Sequence, residues 1–214
     1  MAPNLVQSPP MVAQSAKKPT VFIVDDDAAI RFAMQALMDS VNLDHEIFAS
    51  GDEFLEKISE QRPGCLVLDI RMPGLGGLEL QEELIKRGNT LPIIFITGHG
   101  DVPMAVEAMQ KGAVDFIQKP FRDQELLDRI REALATDEER REEQQQHAEV
   151  VERLHRLTNR EREVFDLVVT GKPNKVIAYE LGVSQRTVEI HRARVMEKMQ
   201  ARSLADLVKM HMTA

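Results

Sequence analysis

The chain has 214 residues, 43% of them hydrophobic, and a formal net charge of −8. That suits one large domain or two modest ones with real cores, and its apolar runs, all strand-sized, are too short for a membrane span. A single cysteine excludes an internal disulfide and agrees with a reducing, cytoplasmic setting.

Residues 1–19 are rich in Pro, Gln and Ser without periodicity and lack the charged start and apolar centre of a signal peptide, so they are expected to be a flexible extension. From Thr20 the pattern changes. Apolar, β-rich runs at 20–24, 45–48, 65–69, 93–97 and 114–118 alternate with amphipathic segments near 28–40, 51–61, 78–87, 102–111 and 122–135. Five strands separated by helices predict an α/β domain over 20–136, a five-stranded parallel sheet with helices on both faces. Ser50–Glu53 has the form of a capping box, Pro103 fits a first helical turn, and Gly88 and Gly112 fit helix ends. Cys65 alternates with Val67 and is expected in the core.

No glycine or proline occurs between Pro120 and Gly171. The span 137–156 therefore reads as a linker, either a stiff helix held by pairs such as Asp137/Arg141, Glu149/Arg153 and Glu152/Arg156, or a partly frayed tether, because its middle has almost no apolar seam. Thr158–Glu161 is a second capping box. Four short helical patterns follow at 159–170, 174–181, 184–199 and 203–212, an all-α domain over 157–214.

The charge is divided between these blocks. Residues 20–136 carry eleven Lys/Arg against 21 Asp/Glu, and residues 151–214 carry twelve against eight. An acidic domain followed by a basic one predicts different partners, with nucleic acid a candidate for the second.

Four of the five apolar runs of the first domain end in a chemically active residue. Asp25 and Asp26 close the first, Asp69 the third, Thr97 the fourth and Lys119 the fifth. In a parallel sheet all of these carboxyl ends lie on the edge where ligands bind. Three carboxylates there would repel one another unless a cation joined them, and a hard divalent ion such as Mg²⁺ suits oxygen ligands. With Lys119 and the Thr97 hydroxyl, the set has the parts for phosphoryl transfer to Asp69. Asp27 precedes a helix and reads as a cap. The stretch Gly74–Gly77 is a turn and not a nucleotide loop, because no Lys-Ser/Thr follows and the glycine spacing is wrong.

In the basic block, Asn174–Ala193 has the form of a helix-turn-helix. Val176, Ile177, Ala178 and Leu181 supply the first helix core, Gly182 the turn, Ser184 the cap, and Val188 and Val195 the inner face of the second helix. Small Ala178 and Gly182 are expected to let the helices cross closely. Base reading falls to Arg186, Glu189, Ile190 and Ala193, and phosphate contacts to Asn174, Lys175, Thr187, Arg192, Arg194 and Lys198. A stripe of Leu204, Leu207, Val208 and Met212 either closes the core or pairs with a second copy.

The motifs VDDD, DIRMPG, ITGHGDVPMAVEAMQKGAVDFIQKPF and PNKVIAYELGVSQRTVEIHRARVMEKM together resemble those of two-component response regulators with a receiver domain and a LuxR-type helix-turn-helix output, most closely the FixJ subgroup. The resemblance implies a flavodoxin-like receiver and a four-helix LuxR-type domain. Asp69 would be the phosphoacceptor, Asp25, Asp26, Asp69 and the backbone carbonyl of Arg71 would hold Mg²⁺, and the Lys119–Pro120 bond would be cis. Thr97 and Phe116 would form a switch that remodels the fourth helix and fifth strand into a dimer face. The implied partners are a sensor histidine kinase, promoter duplex DNA, a second copy of the chain and RNA polymerase, in the cytoplasm and without a membrane. Activation of transcription is expected by that analogy alone. The extension is longer than the family needs, and Glu189 and Ala193 stand where some relatives have lysines, so those relatives' DNA contacts do not carry over. An aspartyl-phosphate phosphatase would need a second aspartate two residues after the nucleophile, where Arg71 stands; the chain is expected not to be an enzyme. A third class, a receiver whose helical module binds protein or RNA, would differ in failing to bind duplex DNA.

Overall fold

A computed structural model describes residues 18–58, 62–98 and 102–214. The expected extension therefore lies almost wholly outside the described residues, as do His99, Gly100 and Asp101 of the fourth motif. In chain order the elements are β1 (Thr20–Val24), α1 (Ala28–Ser40), β2 (His45–Phe48), α2 (Gly51–Lys57), β3 (Gly64–Asp69), α3 (Gly77–Lys86), β4 (Ile93–Thr97), α4 (Val102–Gln110), β5 (Asp115–Gln118), α5 (Asp123–His155), α6 (Asn159–Val169), α7 (Asn174–Leu181), α8 (Gln185–Met199) and α9 (Leu204–Thr213). The chain divides into two units between Glu138 and Glu139.

In the first unit the strands form one sheet in the order β2-β1-β3-β4-β5, every pair parallel. The expected α/β architecture is present, and its strand order is the flavodoxin-like one. Alternation along the strands feeds two cores. Phe22, Leu66, Leu68 and Phe95 pack with Phe54, Leu80 and Leu84 from α2 and α3. Val21, Ile23, Cys65, Val67 and Ile94 pack with Met34, Met38, Leu126 and Ile130 from α1 and α5. Both faces of β1, β3 and β4 are thus covered, which is why these strands read as unbroken apolar runs.

Local differences from the expected elements have tertiary causes. The helix expected to run near 51–61 stops at Lys57, because Ile58 turns to an extended backbone and buries its side chain in the first core. Ser50 caps α2 by accepting Glu53 N–H, but the Glu53 carboxylate reaches past the cap to Ala49 N–H at 2.9 Å, so the box closes one residue early. The span left open as stiff helix or frayed tether is helical, one element running from Asp123 to His155. Its pairs include Glu149–Arg153 at 3.3 Å and Glu152–Arg156 at 2.5 Å. Asp137, named above as a partner for Arg141, is buried and accepts Gly64 N–H at 2.9 Å.

In the second unit Val164, Phe165, Ile177, Val188, Val195, Met199 and Leu207 form one core with Val150 and Leu154 of the end of α5. Thr158 and Glu161 make the expected capping box, and Ser184 caps α8. Ser203 and Asp206 make a further box at α9. Gly182 is in the left-handed region at φ 65° with open space where a side chain would go. It serves the turn itself and not a close helix crossing, contrary to expectation. Leu207 closes the core, while Leu204 and Met212 are exposed.

Candidate functional site

Asp25 follows β1 immediately and is buried. Its backbone continues the sheet by donating to Phe48 O at 3.3 Å, its carboxylate accepts Asp27 N–H at 2.8 Å, and its carbonyl accepts from Arg31 Nη1 at 2.8 Å. Asp27 caps α1, as expected, through Ala29 and Ile30 N–H. Asp69 is the last residue of β3, buried, with Arg71 N–H on its Oδ2 at 3.0 Å. Thr97 ends β4 and is buried; its carbonyl accepts Lys119 N–H at 2.7 Å, which carries the chain beyond β5 at sheet register. The Lys119–Pro120 bond is cis.

The lysine joins the two acids. Lys119 Nζ donates to Asp69 Oδ1 at 2.6 Å and to Asp25 Oδ2 at 3.0 Å. Burial pushes the Asp69 carboxyl up, more than the bonds from Lys119 and Arg71 draw it down, with Asp25 adding to the rise. For Lys119, loss of water works against the charge but is outweighed by Asp69 and Asp25, so its pKa lies above the ordinary lysine value. One ammonium therefore faces two buried carboxylates.

Asp26 does not join them. It is exposed, and among the described residues no three His, Cys, Asp or Glu side chains gather as a closed metal cage. The expected cluster is thus a buried pair with Asp26 on the rim. This arrangement still fits Mg²⁺, which keeps several waters and takes only one or two carboxylates from a protein. The donors are all hard oxygens, and the excess negative charge of the buried pair favours a cation. Phe116, on β5, is 40% exposed.

Two contributors were missed in the sequence. Arg31 lies one helical turn below Asp27, and its bond to Asp25 O fixes the acidic turn; a basic residue four positions after a helix cap was the available signal. At Gly77, an added Cβ would stand 2.4 Å from Asp69 O, so only glycine lets α3 begin against the end of β3.

In the second unit, Arg186, Glu189, Ile190, Ala193 and Arg194 are exposed on α8, and Lys175 on α7. Thr187 is half-buried beside the Ser184 cap. Arg192 Nη1 bonds Asn174 Oδ1 at 3.0 Å, so these two residues present as one group. Lys198, assigned to a phosphate, has a one-third-exposed side chain whose Nζ donates to Glu161 Oε2 at 2.6 Å and to Arg156 O at 3.1 Å.

The lysine-bridged acids lie at the carboxyl edge of a 2-1-3-4-5 sheet, where ligands bind in such folds, and the same chain carries a helix-turn-helix of the kind that enters a major groove. Residues 21–131 match the family model of the response regulator receiver domain, and residues 155–211 that of bacterial regulatory proteins, luxR family. The chain belongs to the response regulators that carry a luxR-family output domain. It is similar to Nodulation protein W of Bradyrhizobium diazoefficiens, 48% identical over 94% of this chain and 88% of that protein. Transcriptional regulatory protein FixJ of Azorhizobium caulinodans is 45% identical over 91% and 92%. Among solved structures, response regulator StyR superposes with a TM-score of 0.85 at 44% identity, over 92% of this chain and all of that one. Full-length FixJ from B. japonicum gives 0.59 at 41% identity, over 92% and 97%. The protein is thus a DNA-binding two-component transcriptional regulator, with a sensor kinase and DNA as partners. No helix among the described residues is long and apolar enough to cross a membrane.

Proposed function

We propose that Asp69 is the phosphoacceptor and that its phosphorylation by a sensor histidine kinase drives dimerisation and promoter binding. One observation carries this: Lys119 Nζ lies within 3.0 Å of both Asp69 and Asp25, so the nucleophile, a charge-neutralising cation and a second acid share one buried edge. A carboxylate oxygen of Asp69 attacks phosphorus, the bond from phosphorus to the donor's histidine nitrogen breaks, and the electron pair leaves with that nitrogen. Lys119 offsets charge on the transferring oxygens, and the Thr97 hydroxyl donates to one of them. Asp25, Asp26, Asp69 and the Arg71 carbonyl would hold Mg²⁺, which when bound neutralises phosphoryl charge. Thr97 and the half-exposed Phe116 form the switch, and the apolar α4–β5 surface, with Val106, Met109 and Val114 exposed, supports a dimer face.

On duplex DNA, Arg186, Glu189, Ile190 and Ala193 read bases, and Lys175, Thr187, Arg194 and the Asn174–Arg192 pair hold phosphates. RNA polymerase as a further partner, activation as the outcome and the cytoplasm as the setting follow by analogy with the family.

The test is incubation with acetyl phosphate and Mg²⁺ followed by intact mass. Wild type should gain one PO₃ unit, Asp69→Asn none, and only wild type should gain DNA affinity. A full gain of mass on the Asn variant would move the acceptor elsewhere.

A further inference from the structure

Gln81, in α3, is 1% exposed. Its Nε2 donates to Ala108 O of α4 at 3.1 Å, while its Oε1 has no hydrogen-bond partner among the described residues. Ala108 O also accepts Ala113 N–H at 3.0 Å, the bond that closes the end of α4 around Gly112. The carbonyl that terminates α4 is therefore held twice, once from its own chain and once from α3. One residue further, Glu82 takes Lys111 Nζ at 2.7 Å, and Lys111 also bonds Glu107 at 2.6 Å. A buried point and a surface point thus fasten the same end of α4 to α3.

An apolar side chain would fill this site without leaving a carbonyl oxygen unpaired, so packing alone does not call for a glutamine here. What it supplies instead is a directional bond to a helix that carries exposed Val106 and Met109 beside Val114 and Phe116. We propose that Gln81 is a positioning residue that holds the C-terminal turn of α4 in its unswitched place, and so sets how readily the α4–β5 surface is remodelled for dimerisation. The second half of this rests on the phosphorylation switch proposed above; the first half does not.

The discriminating variant is Gln81→Met, which has similar length and volume and lacks both polar atoms. It is made in full-length protein, in the wild-type and Asp69→Asn backgrounds. Amide hydrogen exchange across α4 should accelerate roughly fivefold, the worth of one net internal hydrogen bond. Exchange in β1 and β3 should not change, and the melting temperature should stay level or rise because the unpaired oxygen is gone. The dimer dissociation constant without phosphodonor should fall by a similar factor in both backgrounds. Unchanged α4 exchange, or acceleration shared equally by β1 and β3, would overturn the positioning role. Faster α4 exchange with unaltered dimerisation would overturn its link to the switch. Failure of wild type to gain a phosphoryl group would instead remove the phosphorylation proposal, while the exchange measurement in the Asn background would still read the latch.

Discussion

Lys198 and Glu161 show how a single ion pair decides what a basic residue is for. Glu161 is 2% exposed, and the bond from Lys198 is the largest of several influences that draw its carboxyl down to about 2. A carboxyl whose pKa falls on folding, here from 4.5, adds stability that is full above pH 4.5 and is lost as pH drops towards 2. The contribution is at most about 3 kcal/mol, reduced by screening because Lys198 is one-third exposed. Glu161→Gln should therefore lower the urea midpoint of the second unit at pH 7 and flatten its dependence on pH between 4.5 and 2. Pulse-labelling hydrogen exchange of α6 to α9, made at one fixed labelling pH, follows the transition in that unit; an unchanged acid limb in the variant would remove Glu161 from the account. This pair was not legible in the sequence, where Lys198 is one of several cations on a helix and its partner is 37 positions away. Asp25, Asp69, Thr97 and Lys119 were legible because each interrupts an apolar run at a strand end, a pattern local to a few residues.

At the scale of elements, strands and the short helices followed from period and caps, whereas their ends depended on contacts that no local pattern encodes. Ile58 ends α2 by entering the core, and α5 runs on through a polar middle with apolar residues buried at each end. Asp137 is the clearest case, since its carboxylate serves Gly64 N–H at the start of β3, 73 positions earlier. Removing it leaves that donor buried and unpaired, at a cost of about 1–3 kcal/mol. Cys65, the next residue of β3, reports the consequence. Its thiol is buried and pushed up to about 12, by burial first and the Asp137 charge second, so it is unreactive until the strand opens. In Asp137→Ala, labelling of Cys65 by a thiol reagent should accelerate about 5- to 150-fold. Glu138→Ala, at an exposed neighbour, should leave the rate as it is. Equal rates in the two variants would show that the bond does not hold the strand.

For the whole molecule, the division of charge visible in the sequence has a measurable consequence that the structure sharpens. Residues 20–136 carry eleven Lys/Arg against 21 Asp/Glu, so the salt dependence of DNA binding should report chiefly the basic second unit. With Lys198 held by Glu161, the cations left among the residues assigned to phosphates are Lys175, Arg192 and Arg194, since Arg186 is assigned to a base and Asn174 and Thr187 carry no charge. Three neutralised phosphates give a log–log slope of roughly −3 per copy, and two copies on paired half-sites roughly −5 to −6. Arg194→Ala should make the slope shallower by about one per copy on every sequence tested, whereas Arg186→Ala should cost about 1–3 kcal/mol on the preferred site alone. Lys198→Met should lower the stability of the second unit and leave the slope of the folded protein unchanged, because its charge is already neutralised by Glu161. If instead that variant lost one unit of slope per copy, Lys198 would be exchanging Glu161 for a phosphate on binding, and the ion pair would be a latch on the DNA-binding surface and not a strut beneath it.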